Sequence, residues 1–259
     1  MLCIVVKKLV AALVVVLTQT LGVMCLQRPI KSINKYFMLS KRDDPTVGTE
    51  RFLSAALQEL TSVINSELEK QRKSGFEEPK SLDQVAPSYQ KLIIIANLGE
   101  LRAGLRDSVD LQPLEELENK TITAFIDEQN KAILPWVLQD LQKGVSIVYR
   151  LLRELSQVDR QISEIDVSFA RQLLTLLVTS LLKALSQVVI GKGKQAHIDG
   201  LIVKSVLASL ISEDALESLD TFLKNNHPQD DESPLEDGGQ RAIDDFKQKN
   251  PILVSIFTY

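Results

Sequence analysis

The chain has 259 residues, 44% apolar but only 5% aromatic, with 11 glycines, 9 prolines and 34 acidic against 30 basic side chains. That length buries one large core or two small ones, and a leucine-rich set poor in Gly and Pro suits long helices with few turns better than a β-sandwich. The acidic balance argues against a sequence-independent grip on nucleic acid, which needs a basic surface to neutralise phosphates, so no nucleic-acid partner is expected.

Lys7 and Lys8 precede an apolar run from Leu9 to Leu17 that continues through Thr18, Gln19 and Thr20 to Cys25. A basic start, an apolar middle and a more polar approach to small residues is the order of a secretory signal peptide, so residues 1–25 are expected to be one. Val23 and Cys25 fit the −3 and −1 positions of a cut after Cys25, and Thr20 and Gly22 fit an earlier cut. A retained signal anchor, which would tether a lumenal protein to the membrane, is the main alternative. A mitochondrial presequence fits less well, because such presequences are amphipathic rather than continuously apolar.

Both cysteines, Cys3 and Cys25, fall in this stretch, so a chain cut after Cys25 carries no thiol. Disulfides, thiolate nucleophiles, cysteine zinc sites and iron–sulfur ligation are then ruled out for the body, and no cofactor or metal is expected. Residues 1–42 contain no Asp or Glu but seven basic side chains: Lys7, Lys8, Arg28, Lys31, Lys35, Lys41 and Arg42. A cut after Cys25 leaves 28 basic against 34 acidic residues, a net −6, and one after Arg42 leaves 23 against 34, a net −11. Residues 26–46 read as a basic leader. Lys41-Arg42 ahead of Asp43-Asp44 has the dibasic form cut by prohormone-type proteases, which would make it the end of a propeptide; the plainer reading is a solvated pair.

Residues 47–226 read as a helical domain. Phe52, Leu53, Ala56, Leu57, Leu60, Val63, Ile64 and Leu68 follow helical spacing, with Gly75 as a stop. Pro79 and Pro87 mark a connection, and Ser88 offers a cap for a helix carrying Leu92 to Ile95, Leu98, Leu101 and Leu105. Pro113 opens a further helix expected to end at Pro135, which would open the next one through Val137, Leu141, Val145, Val148, Leu152 and Leu155. The most apolar stretch, Asp159 to Ile190, reads as one long central helix, since Arg171 and Lys183 are costly in lipid. After Gly191 and Gly193 comes a helix with Ile198, Leu201, Ile202, Val206 and Leu210, and Ser212 caps a last one ending near Asn225, Asn226 and Pro228. The expected class is therefore all-α: a bundle of about seven amphipathic helices with a flexible acidic C-terminal segment. Residues 227–240, rich in Asp, Glu, Pro and Gly, cannot bury apolar surface, whereas Pro251–Tyr259 is apolar enough to need a docking place.

Chemistry-bearing patterns are few. Gly191, Gly193 and Ala196 fit a dinucleotide-binding glycine pattern, but that turn needs a strand ahead of it, and a helix-to-helix turn is expected. Only His197 and His227 supply imidazoles, and no G-x-S-x-G elbow presents a serine to either. No catalytic residue is assigned. Asn119-Lys120-Thr121 is the one N-glycosylation sequon. Signal, basic leader and cysteine-free helical body together resemble the layout of the secreted effectors of oomycete pathogens, and Arg51-Phe52-Leu53-Ser54 is similar to their Arg-x-Leu-Arg motif. Ser54 replaces the final Arg, and Glu77-Glu78-Pro79 stands where Glu-Glu-Arg would follow.

The expectation is a secreted, non-enzymatic helical binding protein whose partner is a protein or an apolar small molecule such as a lipid. The rival is a secreted enzyme with carboxylates assembled from separate helices.

Overall fold

The computed structural model describes positions 58, 61, 62, 64–66 and 69, and then residues 87–105, 111–165, 167–190, 194–227 and 235–258. The stretch read as a signal peptide with Cys25, the stretch read as a leader with Lys41 and Arg42, the Arg51–Ser54 sequence and the acidic stretch 228–234 lie outside the described residues. The described chain is predominantly helical, with no strand among those residues. Eight helices follow from Pro87 onward: α1 (Pro87–Leu105), α2 (Gln112–Gln142), α3 (Val148–Ser163), α4 (Val167–Leu185), α5 (Lys194–Val206), α6 (Glu213–Asn225), α7 (Leu235–Lys249) and α8 (Pro251–Ile256). The chain divides into two compact units, with the boundary inside α2 at Phe125.

In the first unit, Leu92, Ile94, Ile95 and Leu98 are buried on α1, the three- and four-residue spacing that carries the isoleucine run into a helix rather than a strand. Leu114, Leu117, Ile122 and Phe125 form the buried stripe of early α2, and Ile64 is buried among the helical positions ahead of α1. Arg102 Nε lies 3.2 Å from Glu118 Oε2, and Lys120 Nζ donates to Asn65 Oδ1 at 2.6 Å.

Helix α2 does not end at Pro135, as the sequence suggested; it runs on to Gln142 with the proline inside. A mid-helix proline removes one hydrogen bond and crowds the carbonyl four residues earlier. Here Pro135 and Lys131 are both exposed, so water can take up the freed carbonyl. The helix stops at Gly144 instead, the described non-helical position with φ +67°. Val145 N–H donates to Asp140 O at 2.9 Å and Gly144 N–H to Leu141 O at 3.0 Å, the paired bonds of a Schellman ending. The single helix expected from Pro135 to Leu155 is thus two, and Val145, assigned to its apolar face, lies in the turn with half its surface exposed.

A second expected helix, Asp159 to Ile190, is also divided. Asp159 belongs to α3, which ends at Ser163, and α4 starts at Val167, just after Asp166, a residue type that favours helix starts. The end at Leu185 leaves 186–190 irregular. Ser212 caps α6 as expected, its Oγ accepting from Ala215 N–H at 3.3 Å, with Glu213 and Asp214 in the first turn. The segment expected to be irregular as far as residue 240 is helical from Leu235.

In the second unit, α4 packs on α3 and α6, α6 on α5, α5 on α7, α7 on α8, and α8 back on α3, with α3 and α5 touching across this circuit. Leu173, Leu174, Leu177, Val178, Leu181, Leu182 and Leu185 of α4 are all buried, which explains why α4 is the most apolar of the described helices. The C-terminal tail docks through buried Phe257, whose carbonyl accepts from Ser209 Oγ, while Ile252 stays 81% exposed.

Candidate functional site

Two places in the second unit gather polar and aromatic side chains. The first is the joint of α5 with α6 and with the irregular stretch 186–190. Asp199, in the second turn of α5, is fully buried. Its Oδ2 accepts from Ile147 N–H at 2.9 Å, and its Oδ1 from Ser146 Oγ and Gln195 Nε2, both at 2.8 Å. Helix α3 has no side-chain cap from its own N-cap residue, Ile147, so a carboxylate from another helix satisfies that backbone donor. Burial pushes the Asp199 carboxyl above its ordinary value, against the pull of these three donors.

Asn226, at the end of α6, is buried as well. Its Nδ2 donates to Val188 O at 3.0 Å and Phe222 O at 2.9 Å, and its Oδ1 accepts from Ile190 N–H at 2.7 Å. Asn225 Nδ2 adds a bond to Ser186 O at 3.2 Å. The expected helix-to-helix turn is therefore pinned on its near side by amides from α6, while Gly191 and Gly193 lie outside the described residues. Val188–Ile190 form no strand, so the structural context for a dinucleotide-binding turn is missing there.

His197 sits in the first turn of α5, as expected. His227, expected in a loose tail, instead lies edge-on to His197, with ring centroids 5.0 Å apart and planes at 77°. His197 Nδ1 is 3.1 Å from Leu223 O. Burial lowers the His197 pKa from its ordinary 6.5, the Leu223 bond works against this, and the charge of His227 adds to it.

The second place is the α2–α3 corner. Arg150 Cζ lies 4.1 Å from the ring centroid of Trp136, and its Nη1 is 3.4 Å from Asp140 Oδ2. Close to Arg150 in the chain, Val145 is 51% and Tyr149 56% exposed, and Lys143 and Arg153 are exposed as well. The apolar spacing took Val145 for the buried face of a helix; the Schellman turn leaves it exposed instead.

Other candidates are held structurally. Burial raises the carboxyls of Glu118 and Asp159, but the cations Arg102 and Arg171 respectively oppose the shift. No group of three or more metal-ligating residues occurs among the described residues. A shallow open groove of about 410 Å³ runs along the outer face of α6, where Leu216 lies between Glu213, Glu217 and Asp220. Asn119 is exposed on α2, but Thr121 of the sequon is fully buried and its hydroxyl bonds Leu117 O at 2.7 Å, so the sequon is open only before folding. No described helix is long and apolar enough to cross a membrane.

The chain matches no protein-family model, no curated protein and no solved structure.

Proposed function

We propose that this is a non-enzymatic helical binding protein of the secretory route, glycosylated at Asn119 during synthesis, that recognises a protein partner through its α2–α3 corner. The observation that carries the reading is the exposure of Tyr149 and Val145 in the same short stretch of chain as Arg150, which stacks on Trp136. Tyr, Trp and Arg are the residue types that dominate interface energies, because they bring large area with few torsions to lose. Asp140 neutralises Arg150, while Lys143 and Arg153 leave a cationic rim. The fitting partner offers an apolar pocket edged by carboxylates. Lipid carriage is the weaker version. Apart from Leu176, which is 40% exposed, the α4 leucines are already buried, and the α6 groove is too open to enclose an acyl chain, so that version requires the helices to separate.

The test uses the full chain secreted from culture. Photo-crosslinking from position 149 in extracellular fluid is expected to yield one defined adduct, lost when Val145→Ser and Arg150→Ser are added while the circular dichroism spectrum is unchanged. An adduct of equal yield with the double variant overturns the corner. Co-purifying lipid, with a helicity change on adding vesicles, would favour the carrier instead, and cytosolic protein retaining Met1 would overturn the secretory route.

A further inference from the structure

The chain has only two histidines, 30 residues apart, and the fold brings them into ring contact. We infer that the His197–His227 pair is a proton-operated latch on the α5–α6 joint, closed while at most one ring is charged and released when both are. The position of the pair supports this. His197 Nδ1 is bonded to the carbonyl of Leu223 in the last turn of α6, and His227 follows Asn226, whose amide clamps residues 188 and 190. One turn along α5, Gly200 lets the two helices approach closely: a Cβ there would meet Leu223 Cδ2 at 2.7 Å and Phe222 Cε1 at 3.3 Å. The latch thus sits at the edge of a tight apolar crossing, and its release would expose Leu223 and Phe222, both buried when it is closed.

One imidazolium edge can rest on the face of a neutral ring, as cations do on aromatic faces. A second proton places two like charges about 5 Å apart in a partly desolvated spot, where repulsion is weakly screened. Several of the other charged groups of the packed elements are engaged elsewhere. On α5, Asp199 is bonded to Ser146, Ile147 and Gln195, and Lys204 pairs with Asp220 of α6 at 2.7 Å. Lys194 and Lys224 are exposed at the α5 start and α6 end. On α7, Lys249 pairs with Asp245, Asp244 accepts from Gln240, and Arg241 and Lys247 complete its described basic residues. On α3, Arg150 pairs with Asp140 and Arg160 with Glu164, leaving Arg153, Glu154 and Asp159. Among all these, His227 is the charge that bears on His197.

Hydrogen exchange on the full chain, corrected for intrinsic rates, tests the latch at about pH 7.5 and about pH 5, on either side of the imidazole range. Peptides covering 195–206 and 219–227 are expected to lose protection by about tenfold more than α4 on acidification, the effect of one pKa unit of linkage. His227→Phe, which keeps a ring but takes no proton, should abolish that selective loss. Equal protection at both pH values, or the same loss in His227→Phe, overturns the proposal. A second measurement, independent of any variant, is imidazole NMR titration of the unmodified chain: coupled two-step curves support the latch, and two independent one-site curves overturn it.

Discussion

Around the α5–α6 joint buried polar side chains reach backbone atoms: Asp199 accepts from Ile147 N–H at the start of α3, as well as from two side chains, and Asn226 bonds Val188, Ile190 and Phe222. At the α2–α3 corner the polar and aromatic groups face each other and the solvent, with Arg150 over Trp136 and Tyr149 more than half exposed. Both regions join helices, yet in the joint the side chains replace missing backbone partners, while at the corner the backbone closes on itself through the Gly144 turn and Val145 and Tyr149 stay exposed. The buried polarity of the joint is structural, and the proposed recognition surface lies where the backbone needs no such help.

The largest way to break that contrast is Asp199→Ala, which strands the buried Ile147 N–H together with Ser146 and Gln195. A loss of about 3 kcal/mol is expected in urea denaturation, from roughly 1–3 kcal/mol for a stranded donor plus the lost bonds. Asn226→Ala should cost less, about 2 kcal/mol, because residues 188–190 are only half-buried and water can replace the amide. Gly144→Ala meets no atom within 4 Å, so its cost should be the left-handed backbone alone, roughly 1–2 kcal/mol, read from the same midpoint shift. Tyr149→Ala should change stability by no more than about 0.5 kcal/mol, yet weaken partner binding tenfold or more in a titration. If it destabilises the fold instead, the corner is structural as well.

The smallest effect is linked to acid. The His197 pKa is lowered on folding, so the unfolded chain binds the proton more tightly, and stability should fall as pH drops below about 6.5 until the folded-state value is passed. Asp199 works in the opposite sense. Its raised folded pKa contributes stability below its ordinary 3.8, which is lost as pH rises through the folded value. Midpoints measured across this range should therefore show His197→Gln flattening the fall below neutrality, with Asp199→Ala altering the more acidic limb.

Much of the helical architecture was legible residue by residue. The Leu92–Leu98 spacing, the Pro113 start and the Ser212 cap with Glu213 and Asp214 are local signals, and the structure has each where it was read. Pro135 misled because its cost depends on whether the freed carbonyl faces water, which exposure decides and a proline alone does not reveal. Gly144 was a readable stop signal that the apolar spacing across it concealed. The corner was half-visible as the chain's only tryptophan, whereas its pairing with Arg150, 14 residues on, depends on that turn.

By itself the sequence determined the helical class and the starts of α1, α2, α5 and α6, because periodicity and capping act over three or four residues. Only the tertiary structure decided what Asp199 holds 52 residues away, and that the two histidines touch. A buried polar group takes whichever partner the packing brings to it, and such a pairing leaves no periodic trace in the chain.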